Sequence, residues 1–491
     1  MLTEVLLGIL LVALLFAFVN RKPPNLPPGK WGWPVVGCLP SDDVSLGEQV
    51  MELRKKHGDI ISWRMGSRIF IFFCDPKIIK AAFSKMEFSD RPDFYSFDVF
   101  SNFIKAGLSN INGQLWVNNR TFALRHLKQL GMGKSYLEEA VQYEAACMVK
   151  DFKKHTNKVG RLPWSLSVAI LNVIWQMAAT LRRGRPEMQR FSKVIRSLFD
   201  DFQGPVVWFD LMPWLIPITP TFVKRWMGIE QLQEKLQEIF EYMDNSIKEH
   251  QAKLDPQNPK DYIDAYLLEM EEQKNNPEST MNLFDLKICM VDLFTAGSET
   301  TSATIRWALF LLAKHPEMQA KVQKEIDSVF PRDVLPSVQQ RNSLPYLEAI
   351  SLEVHRYASI ARLGFLHYCN KDTEFMGYTI PKGAVLSQHH ECCHTDPAYW
   401  EKPNEFYPEH FLDGQGNLLT KKEGFMPFSL GRRQCPGEPL VRMELFVFLS
   451  ALLQNFVFSV PKGVELLLEK NAHDSFLNMP KDLEIMITER P

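Results

Sequence analysis

Hydrophobic and polar residues divide the chain into an apolar N-terminal run, a proline-rich stretch and a long remainder of mixed character. The apolar run from Val5 to Val19 is followed directly by Asn20-Arg21-Lys22. It is just long enough to cross a bilayer as a helix. The positive charge after it places the remainder of the chain in the cytosol and favours an uncleaved anchor over a cleaved signal peptide. We therefore predict a single-pass membrane anchor at 1–20, a stiff linker at 21–38 and one large folded unit at 39–491.

Within the folded unit, the hydrophobic periodicity predicts many helices and few strands. Two runs, Ile60–Met65 and Arg68–Phe73, flank a Gly-Ser turn and predict a β-hairpin. The pattern from Asn282 to Lys314 predicts one long helix, which is apolar nearly all round at its centre and therefore buried. A second apolar helix is expected at Pro439–Leu453, and a strand-rich stretch at Thr373–Gln388. These elements predict a mainly α fold with small β-sheets (α+β).

Composition and charge narrow the function without specifying it. Of the 491 residues, 45% are hydrophobic and 23% charged, and the net charge of −2 gives no overall attraction for nucleic acid. The eight cysteines are too scattered for a disulfide framework, which fits a reducing compartment. The run HHECCH at 389–394 resembles a zinc cluster, but adjacent ligands on an extended segment point to opposite faces, so we expect no zinc there.

One cysteine lies in a loop suited to iron chemistry. The ten residues FSLGRRQCPG contain Cys435 and precede the second apolar helix, whose N-terminus favours a thiolate. A thiolate is a soft ligand that suits iron, and a haem iron held by cysteine favours cleavage of the O–O bond. Gly431 and Gly437 allow unusual dihedral angles and close backbone approach to the sulfur. Phe428 can shield the sulfur, and Arg433 offers a cation for a haem propionate.

These ten residues match the signature of the cytochrome P-450 superfamily at Phe428, Gly431, Arg433, Cys435 and Gly437. The resemblance covers essentially the whole chain; it is to the microsomal family 2-like clan and looks closest to the crustacean digestive-gland subfamily. It implies the cytochrome P-450 fold, a triangular prism with a helix-rich lobe and a smaller β-rich lobe. Haem b would lie between the long central helix and the cysteine loop, with Cys435 as the axial ligand of its iron.

The long helix carries a second match to this family. Its residues 296–301, AGSETT, resemble the stretch that activates oxygen. Because Gly297 weakens the helix, we expect a local opening where dioxygen fits beside Ala296. Glu299 and Thr300 together can relay protons to the distal oxygen and are the predicted catalytic residues.

Further matches imply structural and cofactor-binding residues. Glu353 and Arg356 resemble the Glu-x-x-Arg pair of the family, and we expect them, joined by His410, to lock the core without taking part in the chemistry. His367 falls where related enzymes place a propionate partner, although a histidine whose hydrogen bonds are satisfied within a strand would give the same pattern. The expected propionate partners besides Arg433 are therefore Trp116, Arg120 and His367.

The resemblance also indicates where the substrate binds. The expected lining is aromatic and aliphatic, which predicts a lipophilic substrate such as a steroid, a fatty-acid derivative or a xenobiotic. Arg362 stands where related enzymes have an apolar residue or proline. It either offers the pocket a contact for a substrate carboxylate or carbonyl, or turns away into a salt bridge. The predicted lining residues are Phe100, Phe103, Phe294, Arg362, Leu363 and Phe476.

By resemblance, the chain is a monooxygenase of the endoplasmic reticulum membrane that inserts one atom of O2 into its substrate. Electrons would come from NADPH–cytochrome P-450 reductase, with cytochrome b5 as a second candidate donor, and the segment Leu211–Met227 is expected to dip into the lipid bilayer. The alternatives are a haem-thiolate isomerase or dehydratase, which the retained Glu299-Thr300 pair disfavours, and a non-catalytic protein that binds haem or a lipophile. The basic face predicted to meet the acidic reductase consists of Lys421, Lys422, Arg432, Arg433 and Arg442.

Overall fold

The computed structural model describes residues 20–41, 43–129, 135–180, 185–202, 204–332, 334–468 and 477–491. The helices of these residues are α1 (Leu46–His57), α2 (Pro76–Phe83), α3 (Tyr95–Phe100), α4 (Gly113–Gln129), α5 (Ser135–Phe152), α6 (Ser165–Ala179), α7 (Arg185–Phe202), α8 (Val207–Leu211), α9 (Leu215–Ile218), α10 (Thr221–Trp226), α11 (Ile229–Lys253), α12 (Tyr262–Glu272), α13 (Leu283–Lys314), α14 (Pro316–Val329), α15 (Pro345–Ala358), α16 (His390–His394) and α17 (Glu438–Asn455). The strands are β1 (Gly29–Lys30), β2 (Ile60–Met65), β3 (Arg68–Phe73), β4 (Val159–Arg161), β5 (His367–Tyr368), β6 (Thr373–Phe375), β7 (Tyr378–Ile380), β8 (Val385–Gln388), β9 (Phe456–Ser459) and β10 (Glu484–Glu489). Helices outweigh strands, so the predicted fold class is confirmed.

The predicted β-hairpin is confirmed to the residue. Strands β2 and β3 pair antiparallel from Ile60↔Phe73 to Met65↔Arg68. They form the middle of a five-stranded sheet of order β1-β2-β3-β8-β5, in which β3 and β8 run parallel. Strand β1 lies inside the stretch predicted as a linker, and it pairs in parallel with β2 at Gly29↔Ser62. That part of the stretch is therefore held against the sheet and does not act as a free spacer.

The long helix is confirmed as α13, which begins one residue after its N-cap, Asn282, whose side chain accepts the backbone N–H of Asp285. Most of its side chains are buried, as its apolar surroundings require. The exceptions near its centre follow helical spacing: Ala296 is exposed, and Leu293, Gly297 and Thr300 are partly exposed. One face of an otherwise buried helix therefore remains open.

The main apolar core is formed by helices. It includes residues of α5, α6, α13 and α17, together with strands β9 and β10. Two smaller apolar clusters lie against the five-stranded sheet, one around Phe73 and Leu386 and the other around Trp63 and Phe72. The cysteine loop lies between the sheet and the start of α17, so it is held by both parts of the molecule.

Among the residues described, no helix has both the length and the apolar character needed to cross a membrane. The anchor predicted at 1–20 lies, except for Asn20, outside those residues.

Candidate active site

The cysteine loop is closed by its own backbone and fixed against α2. The N–H of Cys435 donates to the Phe428 carbonyl at 2.9 Å, and a short 3-10 turn covers Gly431–Arg433. Gly431 has a φ of 80°, and a side chain there would clash with the Phe83 carbonyl oxygen, so glycine is needed. Gly437 differs from the prediction, because its φ of −84° is open to any residue. A Cβ there would have the Cys435 sulfur, at 3.9 Å, as its nearest neighbour.

Cys435 is distinguished from the other seven cysteines by its access to solvent. All eight lie in the described part of the chain as free thiols, and Cys435 is the only exposed one. The surrounding protein raises the pKa of its thiol, whereas hydrogen bonds from the backbone N–H groups of Gly437 and Glu438 and the charge of Arg120 lower it. Donors aimed at the sulfur from the first turn of α17 suit a thiolate that binds a metal.

Arg433 is a buried cation whose hydrogen bonds are only partly satisfied. Its Nε donates to the Ser89 carbonyl at 3.0 Å and its Nη2 to the Ile111 carbonyl at 2.7 Å, while Nη1 is buried without a partner among the described residues. Its guanidinium lies 3.8 Å from the ring centroid of Trp116. Burial, with a smaller contribution from the charge of Arg120, lowers the pKa of Arg433 to about 9, against the opposing effect of Asp90. An anion beside Nη1 would relieve this cost.

Two more arginines share this environment. Arg120 Nη2 donates to the Gln434 carbonyl at 2.5 Å, and Arg91 Nη1 donates to the Leu366 carbonyl at 2.8 Å. Burial and the charges of Arg433 and Arg120 hold the pKa of Arg91 well below its usual range. Within the described residues, none of the three forms an ion pair with a carboxylate. A cluster of this kind fits the two propionates of a haem, and with the exposed Cys435 thiol it provides both ends of a haem site.

Sequence reasoning missed Arg91. The residue lies in the segment DRPDFY, which resembles the crustacean subfamily, but nothing in that segment marks its side chain as pointing toward Arg433. The signal that could have found it is the excess of arginine over nearby carboxylates, and this is visible only once the three residues are placed together.

The open face of α13 carries the residues predicted to act on oxygen. Thr300 Oγ1 donates to the Ala296 carbonyl at 2.7 Å, one turn earlier, and both residues lie on the open face. The expected break in the helix is absent, because α13 is continuous from Leu283 to Lys314. The small side chain of Ala296 leaves this face open, whereas Gly297 packs closely against α6, where a Cβ would lie 2.9 Å from Ile174 Cδ1. Glu299 is buried on the flank of this face, and its charge acts on Arg306.

The three predicted structural residues form one buried network. Arg356 contacts both carboxylate oxygens of Glu353, at 2.6 and 2.8 Å, and its remaining donors bind carbonyl oxygens of His394, Pro403 and Glu405. His410 Nδ1 lies 3.2 Å from the same carboxylate, and its Nε2 accepts a backbone N–H. The network joins α15 to the segment before the cysteine loop, so it supports the site without reaching it.

His367 is placed as a satisfied histidine. Its Nδ1 donates to the Phe88 carbonyl at 2.8 Å, and its Nε2 lies 3.4 Å from the Gln388 amide nitrogen. Burial, followed by the charges of Arg91 and Arg433, holds the pKa of His367 well below its usual range, so the ring is neutral. These contacts fit the second interpretation from the sequence, a histidine satisfied within the protein, and the contact to a propionate stays a prediction.

Arg362 turns away from the pocket. Its side chain is 1% exposed, pairs with Glu391 at 3.9 Å and donates to Asn478 Oδ1 at 2.8 Å. The second interpretation from the sequence, a salt bridge, therefore describes the structure.

Two other predicted lining residues are buried in apolar packing, and their place in the pocket stays a prediction. Phe294 is fully buried, with its ring centroid 4.4 Å from that of Trp175. Leu363 is 1% exposed in the cluster around Trp63.

The remaining predicted lining residues are Phe100, Phe103 and Phe476. Phe100 is buried and Phe103 is 52% exposed, while Phe476 lies outside the described residues. Phe365, which the sequence reasoning missed, is 47% exposed. Its ring centroid lies 5.8 Å from that of Phe97 and 4.5 Å from the guanidinium carbon of Arg91.

Phe428 of the cysteine loop packs against His355, with 5.0 Å between the ring centroids.

Comparisons with known proteins give a consistent result. The family model described as "Cytochrome P450" matches residues 27–487. The chain is 51% identical over 475 residues to "Cytochrome P450 2L1" of Panulirus argus, covering 96% of each protein. It is 35% identical over 477 residues to "Cytochrome P450 2B2" of Rattus norvegicus, covering 94% of each, and 35% identical over 442 residues to "Cytochrome P450 2G1" of Oryctolagus cuniculus, covering 89% of this chain and 88% of that protein.

Proposed function

The chain belongs to the cytochrome P450 family and is a haem-thiolate monooxygenase, and we propose that it oxidises lipophilic small molecules with electrons from an NADPH-dependent flavoprotein reductase. The observation that carries the proposal is the combination of one exposed thiol, Cys435, with the buried Arg91 and Arg433 and the partly buried Arg120, none of which pairs with a carboxylate among the described residues. The haem, of the b type, supplies activation of dioxygen when it is bound. The residues described here hold it, exclude water and supply protons.

Each residue of the site has a role in this proposal. The Cys435 sulfur would bind the haem iron; the N–H groups of Gly437 and Glu438 lower the pKa of its thiol against the larger, raising effect of burial. Arg91, Arg120 and Arg433 would hold the propionates. On α13, Ala296 would leave room for dioxygen, and the Thr300 hydroxyl, already a donor at 2.7 Å to a helix carbonyl, could turn to donate a proton. Glu299 replenishes that proton.

A lipophilic substrate is supported by the exposed aromatic side chains near the arginines. Phe365 and Phe103 are exposed by about half, and Phe97 stacks on the first of them. Apolar lining of this kind selects for shape and hydrophobicity, which suits a steroid, a fatty-acid derivative or a xenobiotic. Because Arg362 is buried and lies beside Glu391, we do not assign it a contact with a substrate carboxylate.

The proposed partners are the reductase, with cytochrome b5 as a second donor, and the membrane of the endoplasmic reticulum. Of the predicted basic face, Arg432 and Lys421 are exposed, whereas Arg433 is buried and Arg442 is paired with Glu438 at 2.8 Å. The segment Leu211–Met227 exposes large apolar side chains, which supports contact with lipid. They are Trp214 (42%), Ile218 (64%), Phe222 (73%) and Trp226 (85%).

The proposal is tested with the full chain loaded with haem and supplied with a microsomal-type reductase. We expect the reduced, CO-bound protein to show the long-wavelength Soret band of thiolate ligation, and Cys435→Ser to lose it while Cys147→Ser keeps it. Product formation should require both NADPH and the reductase. Conversion of a peroxide substrate without reductase would support the isomerase or dehydratase, and haem binding without any turnover would support a carrier.

A further inference from the structure

A second cavity opens at the surface near the start of α6, between the end of α5, strand β4 and helix α7. Its volume is about 400 Å³. None of the residues assigned to the active site lines it. Its walls include the indole of Trp164, the guanidinium of Arg161 and the apolar side chains of Leu162 and Val168. A cavity of this size accommodates a small organic molecule.

Arg161 brings a positive charge to the lining of this cavity. Its side chain is 69% exposed, and its ion pair with Asp482 is long, at 3.8 Å. Asp482 itself also contacts Arg196, at 3.1 Å, and Arg306, so the other donors of Arg161 are available. Asp151 also lines the cavity, but its carboxylate is paired with Lys154 at 3.2 Å.

Two more cations lie against the aromatic wall. The Nζ atom of Lys193 and the guanidinium carbon of Arg196 each lie 5.7 Å from the ring centroid of Trp164. The cavity therefore offers a flat apolar surface with cations at one edge.

We propose that this cavity binds an organic anion, with its apolar body against Trp164, Leu162 and Val168 and its carboxylate or sulfonate against Arg161. The site is separate from the haem site, and the inference does not rest on the proposed function. Asp482 contacts both Arg161 and Arg306, and Arg306 lies on α13, the helix that carries Thr300. A bound anion would compete with Asp482 for Arg161, close to that helix.

The test uses the haem-loaded full chain with an iron-binding azole in excess, so that the haem pocket is closed. The probe is 2-naphthoate, titrated calorimetrically against the neutral isostere 2-naphthamide. We expect 2-naphthoate to bind with one-to-one stoichiometry, to weaken with added salt and to bind about tenfold more tightly than 2-naphthamide. Failure of 2-naphthoate to saturate, or equal affinity of the two probes, would overturn the proposal.

Matched variants locate the site. Arg161→Ala should weaken 2-naphthoate binding about tenfold and leave 2-naphthamide unchanged, and Arg161→Glu should abolish binding of the anion. Arg190→Ala is the control: its side chain is 71% exposed on α7, is paired with Glu238 and does not line the cavity. Both arginines are on the surface, so thermal unfolding should change little. Equal loss with Arg161→Ala and Arg190→Ala, or no loss with Arg161→Ala, contradicts the assignment.

Discussion

Asp292 of α13 holds the loop that precedes α4, and it does so with a buried carboxylate. One of its oxygens accepts the backbone N–H of Leu108 at 2.6 Å and of Ser109 at 2.9 Å. Two turns earlier, Asp285 accepts the N–H of Gly107 at 2.9 Å. Three successive backbone donors of the loop are therefore bound to one face of the long helix. The loop follows the predicted pocket residues Phe100 and Phe103, so its order bears on access to the site.

The ionisation of Asp292 should set the pH dependence of this contact. Burial raises the pKa of Asp292 from 3.8 to about 6, against the lowering effect of the N–H groups of Leu108 and Ser109 and with a small contribution from Asp285. A pKa shift of this size means that folding disfavours the charged carboxylate by about 3 kcal/mol relative to the neutral carboxyl. Because the folded-state pKa is raised, the folded protein binds the proton more tightly than the unfolded chain does. The stability that the neutral Asp292 gives to the folded protein is therefore present below about pH 4 and is lost as the pH rises through about 6.

Asp292→Asn removes the charge and keeps an acceptor for the two N–H groups. We expect this variant to match the wild type near pH 4 and to exceed its free energy of unfolding by up to about 3 kcal/mol at pH 7. Asp292→Ala also removes the charge but leaves both N–H groups without an acceptor, so it should be less stable than Asp292→Asn by about 1–3 kcal/mol at every pH. Urea unfolding from pH 4 to 8 measures both differences.

Other titrating groups lie nearby and must be separated from this effect. Asp285, whose pKa burial also raises, accepts the Tyr266 hydroxyl at 2.8 Å, and Cys289 lies between the two carboxylates on the same face of α13. The comparison is therefore the difference between wild type and Asp292→Asn at each pH, in which the contributions of groups that do not interact with Asp292 cancel. If that difference is flat between pH 4 and 8, the carboxylate is not the titrating group and the reasoning fails.

Four further outcomes are expected. Thr300→Val should lower product formed per NADPH consumed by about tenfold or more and release peroxide, as measured by coupled oxygen and product assays. Arg433→Leu should weaken haem retention by about 1.5–3 kcal/mol, measured as haem transfer to an acceptor apoprotein. Glu353→Gln should lower the free energy of unfolding by about 3–5 kcal/mol in urea, since it leaves a buried guanidinium unpaired. Arg362→Leu and Glu391→Leu should each destabilise the protein, while the double variant should recover part of the loss in the same assay.

The parts of the fold that could be predicted are those encoded over short stretches of sequence. The hairpin at Ile60–Met65 and Arg68–Phe73 has a period of two and a two-residue turn, and both strands end where predicted. The helix predicted from Asn282 begins at Leu283, because asparagine acts as its cap. The cysteine loop was predictable for the same reason, since its ten residues are contiguous and their spacing carries the chemistry.

The features that the sequence could not predict depend on rotation within an element or on contacts between distant segments. Phe294 and Ala296 lie two residues apart on one helix, yet only Ala296 faces the opening. Arg362 is directed by Glu391, which is 29 positions away, and Arg91 acquires a role only through its proximity to Arg433. A periodicity shows that a helix has a buried face, but it does not show which neighbour covers that face.

The buried arginines fall into two groups: those paired with a carboxylate of the chain and those beside the cysteine loop. Arg356 has both oxygens of Glu353, and Arg362 has Glu391, so the charge of each is balanced within the chain. Arg433 and Arg91 are also buried, but among the described residues they donate only to carbonyl or amide oxygens, and burial lowers the pKa of each. Burying a cation without a hydrogen-bonded anion costs several kcal/mol. An anionic partner would offset this cost, and a group with two carboxylates beside the exposed Cys435 thiol would be such a partner. The haem-free protein should therefore be the less stable form, with its loss concentrated around Arg433 and Arg91.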